Sequence, residues 1–318
     1  MNKKENNTCD KFLKKSIHIR NKDEFDKLLD RYIKLNNLTK VDRILSYEEI
    51  EELRSALISG ITIEKESTIN EIILSIVNFL NLHGFDGSYF YTMLENTDFS
   101  ITSLKVLFNS IGLAMSSGKK IMIDISIAEF NKSGNFLGIK TNDFALLRHI
   151  LIHEFLHRIS AFRDDKKDLM ANDTALSEGF TDLFAETISE YNGPKKSKTY
   201  QFSKDVCNIF VSLIGFNTAL DNYLNHLMEY PNLRNLFNSY NLNFDEFVKE
   251  FDRLLMRRYK KEEENSIIEE ENNLLIILKD NLIIPFIKDH PELENEIIEK
   301  FNIIFEDRNI SVSLEKRI

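Results

Sequence analysis

The scarcity of glycine and proline is the feature that most limits what this chain can fold into. Among its 318 residues there are only 10 glycines and 4 prolines. A turn-rich β architecture depends on these two residues at its turns, whereas the interiors of helices disfavour both of them. The chain is therefore expected to be built mainly of long helices. Hydrophobic residues make up 42% of it, which is enough for a folded core.

Apolar residues recur with helical spacing along most of the chain. In the N-terminal third this spacing predicts helices over residues 23–35, 47–58 and 67–84, with Gly60 as a stop signal and Ser67 as an N-cap. A fourth helix is predicted to begin at Ser100 and to carry Leu104, Leu107, Phe108 and Ile111. From Tyr200 to the end the pattern is almost wholly helical, with breaks predicted at Gly215, Pro231, Pro285 and Pro291.

A short segment after Gly118 departs from the helical pattern. Residues 121–127 are rich in β-formers, residues 131–135 form a polar turn, and residues 136–139 are again mostly apolar. We interpret this segment as a strand–turn–strand unit. Two helices are predicted after it, over residues 141–160 and 174–190, with a charged loop at residues 163–172 between them.

These elements predict an α+β fold that is mostly α. A small β-sheet is followed by two helices that carry the candidate site, and helical regions lie on both sides of this core. The predicted division is a polar leader (1–20), a helical N-terminal region (21–117), a catalytic core (118–192) and a helical C-terminal subdomain (193–318).

The pentapeptide HEFLH at residues 153–157 places two histidines four positions apart on the first of these two helices. Side chains at this spacing project from one helix face about one turn apart, so both imidazoles can bind the same tetrahedral metal ion. Glu154 lies next to the first histidine, where its carboxylate can take a proton from metal-bound water. His153 and His157 are therefore predicted to bind one Zn²⁺ ion, with Glu154 as the catalytic base.

A third protein ligand is needed to complete such a site. Glu178 is the residue we favour, because it opens the next helix, 21 residues after His157. Asp182 lies one turn further on and is placed to accept the free N–H of a ligating histidine, which would fix its tautomer. The alternative third ligands are Glu186 and Glu190 on the same helix and Asp164, Asp165 and Asp168 in the loop.

His149 extends the two histidines into a ladder at positions i, i+4 and i+8. Three ligands at that spacing span ~12 Å along the helix axis, which is too far for one metal ion. A role in helix packing or in support of the site is therefore predicted for His149.

The spacing of these residues resembles that of the gluzincins, metallopeptidases with an HExxH helix and a thermolysin-like active-site design. In that family a glutamate on a second helix, within an E-x-x-x-D pattern, completes a His₂Glu zinc site. Residues 178–182, EGFTD, match the pattern, and residues 175–186 look like the glutamate helix of many small bacterial members. The resemblance covers roughly residues 120–190. It implies that Glu154 is the general base and that Asp182 orients His153.

The resemblance also implies how a substrate would be held. The strand at residues 121–127 would supply an edge that pairs with the extended main chain of a peptide. Tyr200 is the first candidate to stabilise the oxyanion, because similar small gluzincins carry a tyrosine near the start of the helix after the glutamate helix. Tyr223, His226 and Tyr240 are the alternatives. A metzincin site is disfavoured, because no third histidine follows His157 in the H-x-x-G-x-x-H arrangement.

The charge balance and the termini bear on partners and location. A net charge of −10 disfavours nucleic acid as the main partner, and the acidic runs at residues 262–264 and 269–271 are interpreted as acidic helix faces or a solvated connection. The N-terminus lacks the apolar segment of a signal peptide, and no stretch is apolar enough for membrane insertion. The default expectation is a cytoplasmic protein, with non-classical export as the alternative. Cys9 and Cys207 form no disulfide framework, and Cys207 is predicted to be buried.

The function predicted from the sequence is that of a zinc metallopeptidase acting on a peptide or protein substrate. The large helical flanks favour recognition of one specific partner protein, as in a regulatory or toxin-like protease. The alternative is a non-catalytic, zinc-stabilised interaction or regulatory protein with a protease-like fold, but an intact Glu154 beside the metal argues against it. No motif predicts an oligomeric state.

Overall fold

The computed structural model describes residues 19–37, 45–63, 67–108, 110–115, 120–140, 144–160, 174–190, 198–226 and 229–307. The chain divides into two compact units, Met1–Arg158 and Ile159–Ile318, which we call the N-terminal and C-terminal units. The predicted fold class is confirmed, because the described residues are mostly helical with a small mixed sheet. Most of the predicted leader and the whole of the predicted loop at residues 163–172 lie outside the described residues.

The helices of the N-terminal unit follow the predicted periodicity in most places. They are α1 (Lys22–Asn36), α2 (Tyr47–Ser59), α3 (Ser67–Leu82), α4 (Gly87–Glu95) and the one-turn α5 (Leu104–Leu107), and α6 (Phe144–Ser160) runs across the boundary between the units. Ser46 and Glu49 form a capping box at the start of α2. Gly60 ends α2 at a φ of +60°, where a side chain would also meet the carbonyl oxygen of Ile101.

A four-stranded mixed sheet forms the other part of this unit. Its strands are β1 (Ile61–Thr62), β2 (Asp98–Thr102), β3 (Gly112–Met115) and β4 (Lys120–Asp124), in the order β1-β2-β4-β3. β2 and β4 are parallel, and the other two pairings are antiparallel. A separate two-stranded sheet pairs β5 (Ala128–Phe130) with β6 (Phe136–Ile139) across the predicted polar turn.

Two predictions for this region are wrong. Ser100 does not cap a helix; it is a fully buried residue of β2, and only one helical turn follows it. The predicted strand at residues 121–127 ends at Asp124, whose side chain accepts a hydrogen bond from the Ser126 amide and starts a 3-10 turn. β6 therefore pairs with β5 and not with the strand after Gly118. The pairing of β2 with β4 joins segments that are distant in the sequence, which local periodicity does not report.

The C-terminal unit is entirely helical over its described residues. It contains α7 (Ala175–Ser189), α8 (Lys198–Ile214), α9 (Phe216–Asn225), α10 (Pro231–Ser239), α11 (Phe244–Tyr259), α12 (Glu264–Leu278), α13 (Ile284–Asp289) and α14 (Glu294–Asp307). Its interior is rich in aromatic side chains, such as Phe210, Phe237 and Phe251, which are all buried. Cys207 is buried as predicted, and burial raises the pKa of its thiol.

Most of the predicted helix breaks in this unit are confirmed. Gly215 separates α8 from α9 at a φ of +85°, Pro231 is the first residue of α10, and Pro291 begins a short 3-10 turn. The break at Pro285 is wrong, because a π-helical segment, Lys279–Ile283, carries the chain from α12 directly into α13. The wider π turn changes the hydrogen-bond register, and Pro285 then falls in the first turn of α13, where its missing N–H costs little.

The second acidic run lies on the helix α12 and not in a solvated connection, and its last residue, Glu271, faces the interior. Its side chain is fully buried and accepts two hydrogen bonds from the Arg258 guanidinium, at 2.5 and 2.7 Å. Glu270 forms ion pairs with Arg253 and Arg257.

None of the described helices combines the length and apolar character that crossing a bilayer requires.

Candidate metal centre

The helix α6 carries the two histidines of the HEFLH segment. Leu151, Ile152, Phe155 and Leu156 are completely buried and hold the helix in place. His153 is almost buried, with 8% of its surface exposed, and His157 is half-buried. Their Nε2 atoms lie 3.1 Å apart, and the ring centroids lie 4.7 Å apart. Both imidazoles therefore project from one face of α6, as predicted.

Arg158, directly after His157, fixes the end of this segment to the rest of the N-terminal unit. It is buried, and its Nε donates a hydrogen bond of 3.2 Å to the hydroxyl of Thr97, just before β2. Burial lowers the pKa of the guanidinium, because a low-dielectric environment disfavours its charged form. The contact restrains the turn of α6 that carries His157.

The helix α7 carries Glu178 in its first turn. The Thr174 hydroxyl accepts a hydrogen bond of 3.1 Å from the Ser177 amide, which caps the helix. Asp252 of α11 accepts a hydrogen bond of 2.7 Å from the Ala175 amide and holds the same end. Burial raises the pKa of Asp252, although this hydrogen bond opposes the effect. Glu178 itself is buried, with 3% of its surface exposed.

His153, His157 and Glu178 form a group whose candidate ligand atoms all lie within 4.8 Å of one another. No other set of three or more His, Cys, Asp or Glu residues meets this criterion among the described residues. In a tetrahedral zinc site with bonds of ~2.0 Å, ligand atoms are about 3.3 Å apart, which is close to the His153–His157 separation. Two imidazoles and one carboxylate are also a donor set that suits zinc. The residues therefore fit a zinc ion.

Glu154 is 92% buried and lies against the strand β3. A Cβ atom added to Gly112 would be 2.7 Å from Glu154 Oε1 and 2.9 Å from its Cγ. Among the described residues, β3 is one of the two outer strands of the four-stranded sheet, and β4 is its hydrogen-bonded neighbour. The carboxylate that is predicted to act as a base thus lies beside an edge strand.

The prediction that residues 121–127 supply the binding edge is wrong. β4 lies between β2 and β3, so both of its backbone edges pair with neighbouring strands. Ile121, Met122 and Ile123 are all completely buried, as is typical of a central strand covered on both faces. The edge next to Glu154 is β3, which sequence reasoning missed because Gly112-Leu113-Ala114-Met115 is short and contains no β-branched residue.

The remaining residues that the sequence suggested as ligands or supports of the site lie outside the three-residue group. Asp182 is half-buried on α7, one turn after Glu178, and its predicted role in orienting His153 stays a prediction. His149 is not part of the three-residue group; its ring centroid is 6.5 Å from that of His153. Glu186 forms an ion pair with Lys204, and Glu190 is the left-handed residue that ends α7. Asp164, Asp165 and Asp168 lie outside the described residues.

The aromatic candidates for oxyanion stabilisation take part in other contacts. The Tyr200 hydroxyl accepts a hydrogen bond of 3.1 Å from Tyr259, with the two rings edge to face, so its catalytic role stays a prediction. Tyr223 is buried, with its hydroxyl 2.7 Å from that of Thr181.

The other two candidates lie on the surface of the C-terminal unit. Tyr240 donates a hydrogen bond to Asp289, and burial together with this carboxylate raises the pKa of Tyr240 to about 12. His226 is exposed and lies 3.8 Å from Asp221. The contacts of these residues therefore single out none of them as the oxyanion donor.

Comparison with known proteins identifies no relative of this chain. No family model, curated protein or solved structure matches the chain.

Proposed function

We propose that this protein is a zinc-dependent metallopeptidase that hydrolyses peptide bonds in a peptide or protein substrate. The observation that carries the proposal is the group formed by His153, His157 and Glu178, with a glutamate next to the first histidine on the same helix. Two histidines and one carboxylate leave one position of a tetrahedral zinc ion open for water or substrate, as catalytic sites require. A purely structural zinc site is normally closed by a fourth protein ligand.

Zinc bound by these residues would lower the pKa of a water molecule and polarise a substrate carbonyl. The protein's own part is proton transfer by Glu154, which accepts a proton from the water and delivers it to the leaving amine. Its burial limits competing water at the carboxylate, and it directly follows His153 on α6, as the base of an HExxH site does.

The substrate that fits this site best is an extended peptide segment. Among the described residues, β3 pairs with β4 on one side only, and an extended chain can add to the other edge of such a strand as a further strand. Main-chain pairing of this kind recognises peptides and not nucleic acids, and the net charge of −10 also disfavours a polyanion. The proposed partner is therefore a protein or peptide, with the pairing to β3 as the positioning contact.

Metal analysis tests the proposed ligands. Wild-type protein loaded with zinc and then freed of excess metal should retain one ion per chain, whereas Glu178→Ala and His153→Ala should lose it. The matched controls are His149→Ala, on the same helix as the histidine ligands, and Glu190→Ala, on the same helix as Glu178. Both controls should retain the ion. Loss of metal from the controls, or retention by the ligand variants, would contradict the assigned site.

Cleavage tests the proposed chemistry. Wild-type protein and Glu154→Gln should be incubated with a proteome-derived peptide library and with native lysates, and new peptide termini should be compared. Glu154→Gln keeps the shape of the side chain but cannot act as a base, so it should retain zinc and lose cleavage. Cleavage by zinc-loaded Glu154→Gln at the wild-type rate would refute the role of Glu154. A zinc-binding wild-type protein that cleaves nothing would favour the non-catalytic alternative.

A further inference from the structure

Gly112 of β3 lies close to the Glu154 carboxylate. Its hypothetical Cβ would be 2.7 Å from Glu154 Oε1, 2.9 Å from Glu154 Cγ and 2.9 Å from Ile150 Cγ2. Ordinary contacts between such atoms are about 3.5 Å or longer. A residue with any side chain at this position must therefore displace one of its neighbours.

The backbone conformation does not explain why a glycine is present. Gly112 has no positive φ, unlike Gly60, Gly84, Gly134, Gly138 and Gly215, so an alanine could adopt the same conformation. Glycine in a strand weakens the strand, because it gains nothing from packing and loses more entropy than other residues. The reason for glycine here is thus the space occupied by the side chains of α6.

The backbone around Gly112 is held by pairing and by hydrogen bonds on both sides of the residue. Gly112 pairs with Ile123 of β4, its carbonyl accepts a hydrogen bond from the Ser110 hydroxyl, and the preceding carbonyl, of Ile111, accepts one of 2.8 Å from the Asp124 amide. The Glu154 carboxylate is the end of a side chain with three rotatable bonds. An added methyl group would therefore move the carboxylate by about 0.8 Å or more, and not the strand.

We propose that Gly112 is a positioning residue for the general base: its missing side chain lets the Glu154 carboxylate rest against the β3 backbone. This inference rests on the proposed peptidase function. If both proposals hold, β3 has two roles: its backbone would pair with the substrate and would also set the position of the Glu154 carboxylate. Displacement of a catalytic group by about 1 Å can lower a rate by roughly 100-fold, so the consequence of even one methyl group is measurable.

The contact itself is tested without any activity measurement. Melting temperatures of metal-free wild type, Gly112→Ala, Glu154→Ala and the double variant form a double-mutant cycle. Gly112→Ala should lower the melting temperature, and the loss should be smaller when Glu154 is alanine, because two of the three close contacts are then absent. Equal losses in the two backgrounds would overturn the proposal.

Leu113→Ala is the matched control in the same cycle. Neighbouring residues of a strand point to opposite faces, so Leu113 faces away from Glu154 and its loss should be the same in both backgrounds. If Gly112→Ala alone does not fold, recovery of folding in the double variant supports the proposal. Failure of both variants to fold overturns it.

Kinetics of the zinc-loaded protein test the positioning role. Gly112→Ala should keep one zinc ion per chain and a KM close to wild type, while kcat falls by roughly 10- to 100-fold. A purely structural defect would instead reduce the fraction of folded, metal-loaded protein and leave kcat per bound zinc unchanged. An unchanged kcat in an active enzyme overturns the role of Gly112 alone. An inactive wild type would refute the proposed function as well, and the melting cycle would still report on the contact.

Discussion

The contact between α7 and α8 at Gly179 leads to a quantitative prediction for the helix that carries Glu178. A Cβ atom on Gly179 would lie 2.6 Å from Cys207 Sγ and 2.7 Å from the carbonyl carbon of Ser203, and closer still to the Ser203 carbonyl oxygen. The Ser203 atoms are helix backbone and cannot rotate away. Gly179→Ala therefore has to separate the two helices by about 1 Å, since normal contacts are about 3.5 Å or more.

The expected loss of stability can be worked out from opposing effects. In a helix, alanine is more favourable than glycine by about 1 kcal/mol. Adding a methyl group to a well-packed interior costs about 1–3 kcal/mol, and the upper end applies because the obstacle is backbone. The net expectation is a loss of about 2 kcal/mol. For a cooperative unit of 150–250 residues this lowers the melting temperature by about 4–8 °C.

The assay is thermal and urea unfolding of the metal-free protein, followed by circular dichroism. Gly87→Ala is the matched control, because its Cβ would lie 2.5 Å from Asn81 Oδ1, a side-chain atom that can move. That control loses one hydrogen bond from the Gly87 amide to Asn81, worth about 1 kcal/mol, and recovers a similar amount of helix stability. Gly179→Ala with a stability equal to or above that of wild type would refute the reasoning.

Two further predictions concern buried charges in the C-terminal unit. Glu271→Ala should lower the free energy of unfolding by about 3–5 kcal/mol, because the Arg258 guanidinium stays largely buried without its carboxylate. Replacing both residues, by leucine and methionine, should recover most of this loss in urea unfolding. A Glu271→Ala variant as stable as wild type would contradict this. Burial raises the pKa of Asp252, so the folded state binds this proton more tightly than the unfolded state does. The resulting contribution to the free energy of unfolding is complete below the unfolded pKa of about 3.9 and is lost as the pH rises through the folded pKa. Asp252→Asn cannot ionise and should show a flatter dependence of unfolding free energy on pH above about 3.9; a curve parallel to that of wild type would contradict this.

The helices and the candidate ligands could be predicted from the sequence because they depend on local spacing. The apolar periodicity located α1 and α2, and the Thr174 side chain caps α7 at the predicted position. Four-residue spacing alone puts His153 and His157 on the same face of α6. Glu178 required the second motif as well, since nothing local ties it to those histidines.

The parts that could not be predicted depend on tertiary contacts. β2 and β3 are short and are strands because other strands pair with them, β1 and β4 with β2 and β4 with β3, so local spacing around Ser100 predicted a helix instead. Glu271 looks like a surface residue in an acidic run, and only the position of Arg258 on the neighbouring helix makes its burial tolerable. The helix α4 was missed, because a nine-residue segment is too short to show a reliable period.

The strand order of the mixed sheet has a consequence for the way the chain folds. β2 must bind β4 in parallel while β3, which lies between them in the sequence, is placed on the far side of β4, and β1 must bind β2 across α3 and α4. The β1–β2 and β2–β4 pairings both join segments separated by other elements, so loop-closure entropy is lost before these contacts form, whereas the helices of the C-terminal unit follow one another through short connections. We expect the C-terminal helices to form first, and the sheet to be the slow step. The strand β3, whose Gly112 lies beside Glu154, would then be among the last elements to take its place in the fold.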